Sequence, residues 1–285
     1  MGKGKGKGKK EKKKDKRPKG PPLAESADRH VCYQRSVQEP EADAEFFDEV
    51  FRAEFGRPPR TLREDFCGTG YLSCTWARLH PENRAWGVDL DSATLAWGAE
   101  HNVARLTDEQ RGRVTLSQGD VRELGDPKVD VVAAQNFSFC VFKSRDELRK
   151  YFEVARQNLA EQGLLVLDIF GGPEAQQLAE EATEYEDEGF TYVWDQDEYD
   201  AITNEILCKI HFQFPDGSEL RDAFVYDWRL WTIAELRELL IEAGFRSADA
   251  YWEGADEDGE GNGEFTKVAR AANEDAWIAY VVGVK

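Results

Sequence analysis

The run Thr61-Leu62-Arg63-Glu64-Asp65-Phe66-Cys67-Gly68-Thr69-Gly70 decides the fold. It reads as a short strand, Thr61–Phe66, that breaks into a glycine turn. A helix restarts at Tyr71 and runs to about Leu79. Upstream, Phe46, Phe47, Val50, Phe51 and Phe55 mark one face of a helix that Gly56 ends. Downstream the rhythm repeats. Arg84–Leu90 is a strand, Asp91–Asn102 a helix, and Arg113–Ser117 a strand. Val129–Ala134 and Leu164–Ile169 are apolar on both faces, as buried parallel strands are. Between them Ser144 and Glu147 form a capping box that opens a helix. Strand and helix alternating in this way predict an α/β fold with a doubly wound, mostly parallel sheet.

The rhythm changes after Gly171-Gly172. Residues 173–186 are very acidic and read as a helix, with Glu180–Glu188 as its solvated face. Phe190–Trp194 is a strand. Ile206–Phe214 alternates with a period of two, Pro215-Asp216-Gly217 turns, and Leu220–Trp228 runs back. The reading is an antiparallel hairpin inserted after strand five. Thr232 and Glu235 cap a further helix, which Gly244 stops. Ala248–Trp252 and Trp277–Val284 are closing strands joined by an acidic, Gly-rich loop.

Three acids stand at the ends of successive strands: Glu64, Asp89 in Gly87-Val88-Asp89, and Asp120 in Gly119-Asp120-Val121. Ligands of open α/β sheets bind outside the carboxyl ends of the strands. A carboxylate after strand two can accept from a ribose diol, and one after strand three from an adenine amine. The set suits an adenosine. A dinucleotide fingerprint would need a third glycine where Ser73 stands.

Asp-Phe-Cys-Gly-Thr-Gly, Gly-Val-Asp-Leu-Asp, Gly-Asp-Val and the ordered βα series resemble the class I S-adenosylmethionine-dependent methyltransferases. The motifs cover about residues 45–172, and the order of elements continues the likeness to 285. The stretch after strand five resembles small-molecule N-methyltransferases of the glycine/sarcosine type. The resemblance implies seven strands with an antiparallel last one, in a single domain over 23–285. Residues 172–231 would form a substrate-side cap.

It also implies S-adenosyl-L-methionine as cofactor. Gly68 and Gly70, with Cys67 in the same turn, would face its methionine part. Glu64, or Asp65 in its place, would fill the first acidic position. Asp89 would hold the ribose with Leu90 beside the adenine. Asp120 and Val121 would hold the adenine edge. Gln135 and Asn136 would line the transfer site, with Asn136 positioning the acceptor. Phe66 stands where the family usually has glycine. No Asn-Pro-Pro-Tyr motif occurs at Gln135–Phe139, which argues against a base-flipping enzyme.

Acceptor contacts are expected from Phe137, from Tyr33 and Gln34 in a lid, and from Trp194, Tyr226, Trp228, Arg229 and Trp231 in the insertion. An aromatic wall suits a cationic or planar acceptor. His211 reads as a solvated hairpin residue.

Composition narrows the partners. The 285 residues carry a net charge of -19, yet residues 1–22 are a low-complexity Lys-rich run, read as a disordered basic tail. The acidic body should repel nucleic acid and anionic membranes. Nucleic acid or a ribosome would be met through the tail alone. No apolar run is long enough to span a bilayer. Five scattered cysteines without metal or disulfide spacing suit a reducing, cytoplasmic setting and no bound metal. Asp256–Gly261 begins like a calcium loop, but Lys267 stands where the closing glutamate belongs, so it reads as a flexible acidic loop.

The expected function is methyl transfer to a small molecule by in-line displacement at the sulfonium methyl. The alternatives are a protein, ribosomal or RNA methyltransferase recruited by the tail, an NAD-dependent oxidoreductase, and a non-catalytic adenosine-binding module.

Overall fold

The computed structural model describes residues 20–255 and 261–285. Most of the basic tail, and Asp256–Glu260 of the calcium-like loop, lie outside the described residues.

Two short helices, α1 (Leu23–Ser26) and α2 (Arg29–Ser36), precede α3 (Pro40–Phe55). The phenylalanines of α3 pack inward, and Gly56 ends the helix at φ +69°. The alternating series follows: β1 (Thr61–Asp65), α4 (Tyr71–Leu79), β2 (Arg84–Asp89), α5 (Ser92–His101), α6 (Asp108–Arg111), β3 (Val114–Gln118), β4 (Val129–Ala134), α7 (Arg145–Asn158) and β5 (Leu159–Gly171). Every residue of β4 is buried. The capping box of Ser144 and Glu147 is present at α7.

Four strands come next: β6 (Ala179–Tyr185), β7 (Phe190–Asp200), β8 (Glu205–Gln213) and β9 (Glu219–Arg229). The chain closes with α8 (Ile233–Glu242), β10 (Ser247–Ala255), β11 (Gly261–Val268) and β12 (Trp277–Val284). The main sheet runs β11-β10-β12-β5-β4-β1-β2-β3. Strands β3, β2, β1, β4 and β5 are parallel, and β12 pairs antiparallel with β5. One layer of core lies under α7 and α8, the other under α3 and α4.

Three secondary-structure elements differ from the sequence expectation. The main sheet has eight strands rather than seven, because Gly261–Val268 pairs with β10 where a loop was expected. The insertion is a four-stranded antiparallel sheet, β6-β7-β8-β9, rather than a hairpin. Residues 173–186 are not a helix: a 3-10 turn, Pro173–Gln176, leads into edge strand β6. That segment has no apolar stripe for a helix to bury, so pairing to β7 decides its state. Its glutamates are exposed along an edge, where charge discourages further strand pairing.

His211 is also corrected. It is 1% exposed. Strand β9 bulges opposite it, so Ile210 pairs with Phe224 but Phe212 with Leu220. The backbone N–H of Asp222 donates to His211 Nδ1 at 2.8 Å, and Nε2 lies 3.2 Å from Asp195 Oδ2. With Nδ1 accepting, the neutral ring carries its proton on Nε2.

Candidate active site

The turn after β1 closes through Gly70 N–H donating to Cys67 O at 2.8 Å. Gly68 and Gly70 hold φ of +52° and +64°, the region that glycine enters without strain. Asp89 is bonded into this turn. Its Oδ2 accepts from Gly68 N–H at 2.8 Å and its Oδ1 from Asp91 N–H at 2.8 Å. Leu90 beside it is 67% exposed, an apolar side chain open at the crevice. Asp120 accepts from Arg122 Nη2 at 2.6 Å and is partly exposed, while Val121 is buried.

Glu64 and Asp65 point to opposite faces of β1, as neighbours on a strand must. Glu64 is buried and accepts from the N–H and hydroxyl of Ser73, anchoring the first turn of α4. Burial raises its carboxyl to about 8. Asp65 pairs with Arg63 at 2.6 Å and accepts from Tyr151 at 3.1 Å, so its carboxylate is occupied on the α7 side. Phe66 adopts φ +57°, and its ring packs on Phe142 and Tyr151 at centroid distances of 5.9 and 5.8 Å. It lies against the α7 layer. Cys67 is buried, and burial holds its thiol well above the usual range, which suits packing rather than nucleophilic attack.

Helix α2 lies over the turn. Gln34 Nε2 donates to Thr69 Oγ1 at 2.7 Å, and Asp28 accepts from Trp97 Nε1 on α5 at 2.7 Å.

Beyond the end of β4, Asn136 and Phe137 both hold φ +56°. Their N–H groups donate to the two carboxylate oxygens of Asp168, at 2.7 and 3.0 Å. Asp168 interrupts the apolar strand β5. Burial, with a smaller contribution from nearby Asp43, raises it to about 7. Asp43, on α3, accepts from Tyr280 at 2.7 Å and is raised by burial to about 6. Asn136 and Phe137 open onto a cavity of about 190 Å³. Tyr33, Tyr192, Trp194, Tyr226, Trp228 and Phe170 supply its aromatic walls. The Tyr226 and Trp228 rings stack at 4.3 Å.

Residues 66–163 match the family model described as a methyltransferase domain. The chain carries a methyltransferase domain. Solved structures resemble it over most of their length. A S-adenosylmethionine-dependent methyltransferase from Clostridium acetobutylicum is 19% identical, covering 89% of this chain and 96% of its own, with a TM-score of 0.63. An amino pentose methyltransferase of calicheamicin biosynthesis from Micromonospora echinaspora, bound to S-adenosylmethionine, is 19% identical, covering 89% and 95%, with a TM-score of 0.61. The sugar N-methyltransferase of a Streptoalloteichus species is 20% identical, covering 91% and 93%, with a TM-score of 0.59. A search of the curated proteins finds no match to this chain. The expected methyltransferase is borne out by the domain match, and the expected Rossmann-like fold by the solved structures.

The site residues of this methyltransferase domain fit such a cofactor. Gln135 is 8% exposed, and its Oε1 is buried with no hydrogen-bond partner among the described residues, although its Nε2 donates to Val166 O. A buried acceptor of this kind calls for a donor, such as an ammonium. Asp89 is bonded to the glycine turn through the Gly68 N–H.

Of the residues expected to meet the acceptor, Tyr33, Asn136, Phe137, Trp194, Tyr226 and Trp228 line the cavity. Gln34 meets the glycine turn instead. Arg229 and Trp231 lie elsewhere. Arg229 donates to Lys143 O and Glu235, with its guanidinium over the Trp231 ring, and Trp231 is buried against Phe142. They tie β9 to the start of α8. The sequence reading overlooked Asp168, Asp43 and Tyr192. For Asp168 the signal was there: one carboxylate inside Leu164-Leu165-Val166-Leu167-Asp168-Ile169 is costly unless it has partners.

No helix among the described residues is long and apolar enough to cross a membrane. All five cysteines are unpaired and buried.

Proposed function

We propose that the protein transfers a methyl group from S-adenosylmethionine to the nitrogen of a small-molecule amine. The observation that carries this reading is the aromatic cavity that opens at Asn136 and Phe137, one wall of which, Tyr33, sits on α2 next to Gln34, the residue bonded to the glycine turn. The sugar N-methyltransferase among the similar structures supports nitrogen as the acceptor atom, and the amino pentose methyltransferase supports a small amine-bearing acceptor.

When bound, the cofactor supplies a methyl group on a positively charged sulfur. Gly68, Gly70 and Gln135 would receive its methionine part, Asp89 its ribose, and Asp120 with Val121 its adenine. Asn136 and Phe137 orient the acceptor at the mouth of the cavity, in line with the methyl carbon. Holding two reactants in line supplies roughly 7–11 kcal/mol of barrier lowering in favourable cases. Positive charge moves onto the acceptor nitrogen as the bond forms. The faces of Trp194, Tyr226 and Trp228 attract that charge, and the Asp168 carboxylate lies behind the cavity floor. A neutral amine needs no general base, and the aromatic walls exclude water.

The five buried thiols support a cytoplasmic location. Residues 1–22 are read as a solubilising tail. Removing them should leave the activity intact, whereas a tail that recruits RNA or a ribosome would make it strongly salt-dependent. Calorimetry with S-adenosylhomocysteine and with NAD tests the reading directly. Binding of the first and none of the second supports it, and the reverse sinks it. A screen for labelled methyl transfer into a pool of amines then identifies the acceptor.

A further inference from the structure

A second cavity, of about 290 Å³, adjoins the aromatic one and shares Phe170, Trp194 and Ile278 with it. Its own walls are Trp277, Ala175, Gln196 and three carboxylates: Glu174, Glu181 and Glu253. No Lys or Arg among the described residues lines it. Glu174 and Glu181 form no ion pair among the described residues, while Glu253 accepts from Gly263 N–H at 2.9 Å.

The chain builds this vestibule from three directions. Gly171, at the end of β5, has no side chain, and a Cβ there would meet the Trp277 ring at 2.3 Å. The indole therefore lies directly over the backbone, with Trp252 behind it at a centroid distance of 5.0 Å. The Pro173–Gln176 turn is held by Gln196 Nε2, which donates to Glu174 O and Gln177 O at 3.0 Å each. That bond fixes Glu174 at the rim. Glu181 stands directly across β6 and β7 from Trp194, so its carboxylate shares a face with that indole. Two indoles and free carboxylates around one hollow attract a cation by both quadrupole and charge. They repel phosphate and carboxylate groups.

We infer that this vestibule is a subsite for an alkylammonium group, so that the acceptor is an amine carrying a second positive charge. The proposal rests on the methyl-transfer reading above. One nitrogen enters the aromatic cavity for methylation. The second charge stays between Trp194 and Trp277 beside Glu174 and Glu181. Two linked contacts raise affinity without any new contact at the reacting nitrogen.

The test is binding of α,ω-diaminoalkanes of about four to ten carbons, each against its monoamine, to the full chain by ligand-detected NMR. The diamine of matching length should bind at least about fivefold tighter than its monoamine. The double substitution Glu174→Gln with Glu181→Gln should erase that difference. Trp277→Leu should reduce it. No preference at any length overturns the proposal. So does a preference that survives the double substitution, since it would then come from the acidic surface at large. Calorimetry with S-adenosylhomocysteine on the same samples separates the two readings and confirms folding. If that ligand binds to wild type and variants alike while the diamines show no preference, the vestibule alone is rejected. If it fails to bind wild type, the methyl-transfer reading falls instead.

Discussion

Asp168 Oδ2 accepts the backbone N–H of Asn136 at 2.7 Å and so fixes the residue that opens the acceptor cavity. The neighbouring oxygen does the same for Phe137. Both bonded residues hold left-handed backbone, which side-chain-bearing residues enter only when their surroundings impose it. A half-buried carboxylate across the β4–β5 pair is what imposes it here.

Asp168→Asn puts an amide N–H against one of those two backbone N–H groups. Above about pH 8, where the Asp168 carboxyl is ionised, it should lower Tm by several degrees, since a hydrogen bond to a charged group contributes about 1.5–3 kcal/mol. Acceptor turnover should fall much further than S-adenosylhomocysteine affinity, because the glycine turn is built by other residues. Equal losses in kcat/KM and in cofactor affinity would mean that Asp168 supports the cofactor crevice rather than the cavity.

Asp43, Asp168 and Glu64 give the protein without cofactor a distinctive pH dependence. Burial raises their carboxyls to about 6, 7 and 8. The folded state therefore holds protons that the unfolded chain has released above about pH 4. Stability that is complete below the unfolded values is lost as pH rises through the folded ones. Thermal scans should give a Tm that falls from about pH 5 to about pH 9. Saturating S-adenosylmethionine should flatten the fall, since its positive charge favours the ionised carboxylates. A Tm that rises across this window contradicts the protonated cluster.

Asp89→Ala removes the acceptor of two backbone N–H groups, those of Gly68 and Asp91. It removes the proposed ribose contact as well. Losing one charge-assisted bond of about 1.5–3 kcal/mol weakens binding by about ten- to a hundredfold. S-adenosylhomocysteine affinity measured by calorimetry should drop by at least about tenfold. Unchanged affinity would move the nucleoside away from this crevice.

The βα series was legible in the sequence because each of its elements is specified locally. β4 is uninterrupted apolar sequence, α7 announces itself by Ser144 and Glu147, and α3 by Gly56. The glycine turn and Asp89 were legible for the same reason. What escaped were features that depend on partners distant in the chain. β6 is a strand only because β7 offers it an edge, and its glutamates carry no period of their own. His211 alternates like a surface residue until the β9 bulge folds Asp222 over it. The Trp residues of the insertion look equivalent in sequence, yet Trp228 faces the cavity and Trp231 the α7 core. A bulge and a strand register, neither visible in composition, separate those outcomes.

Gln34 ties α2 to the glycine turn through one side-chain bond to Thr69. Gln34→Ala removes that bond at a part-buried site and leaves α2 held by Asp28 and Trp97. A neutral hydrogen bond contributes about 1 kcal/mol, so KM for S-adenosylmethionine should rise about fivefold. Tm without cofactor should fall by no more than a few degrees, since only this one bond is lost. A fall in kcat with KM unchanged would place Gln34 on the acceptor side instead.

His211 and Asp195 form a buried pair on the insertion, and His211 is not a wall of the acceptor cavity. His211→Leu keeps the volume but leaves the Asp195 carboxylate and the Asp222 N–H without their partner. Leaving a buried charged acceptor without its donor costs about 1–3 kcal/mol or more. The variant should therefore lose much of its stability by urea unfolding, with kcat/KM near wild type at temperatures where it remains folded. Adding Asp195→Leu removes the stranded carboxylate and should restore part of that stability. A selective collapse of kcat, with stability preserved, would instead make His211 part of the methyl-transfer chemistry.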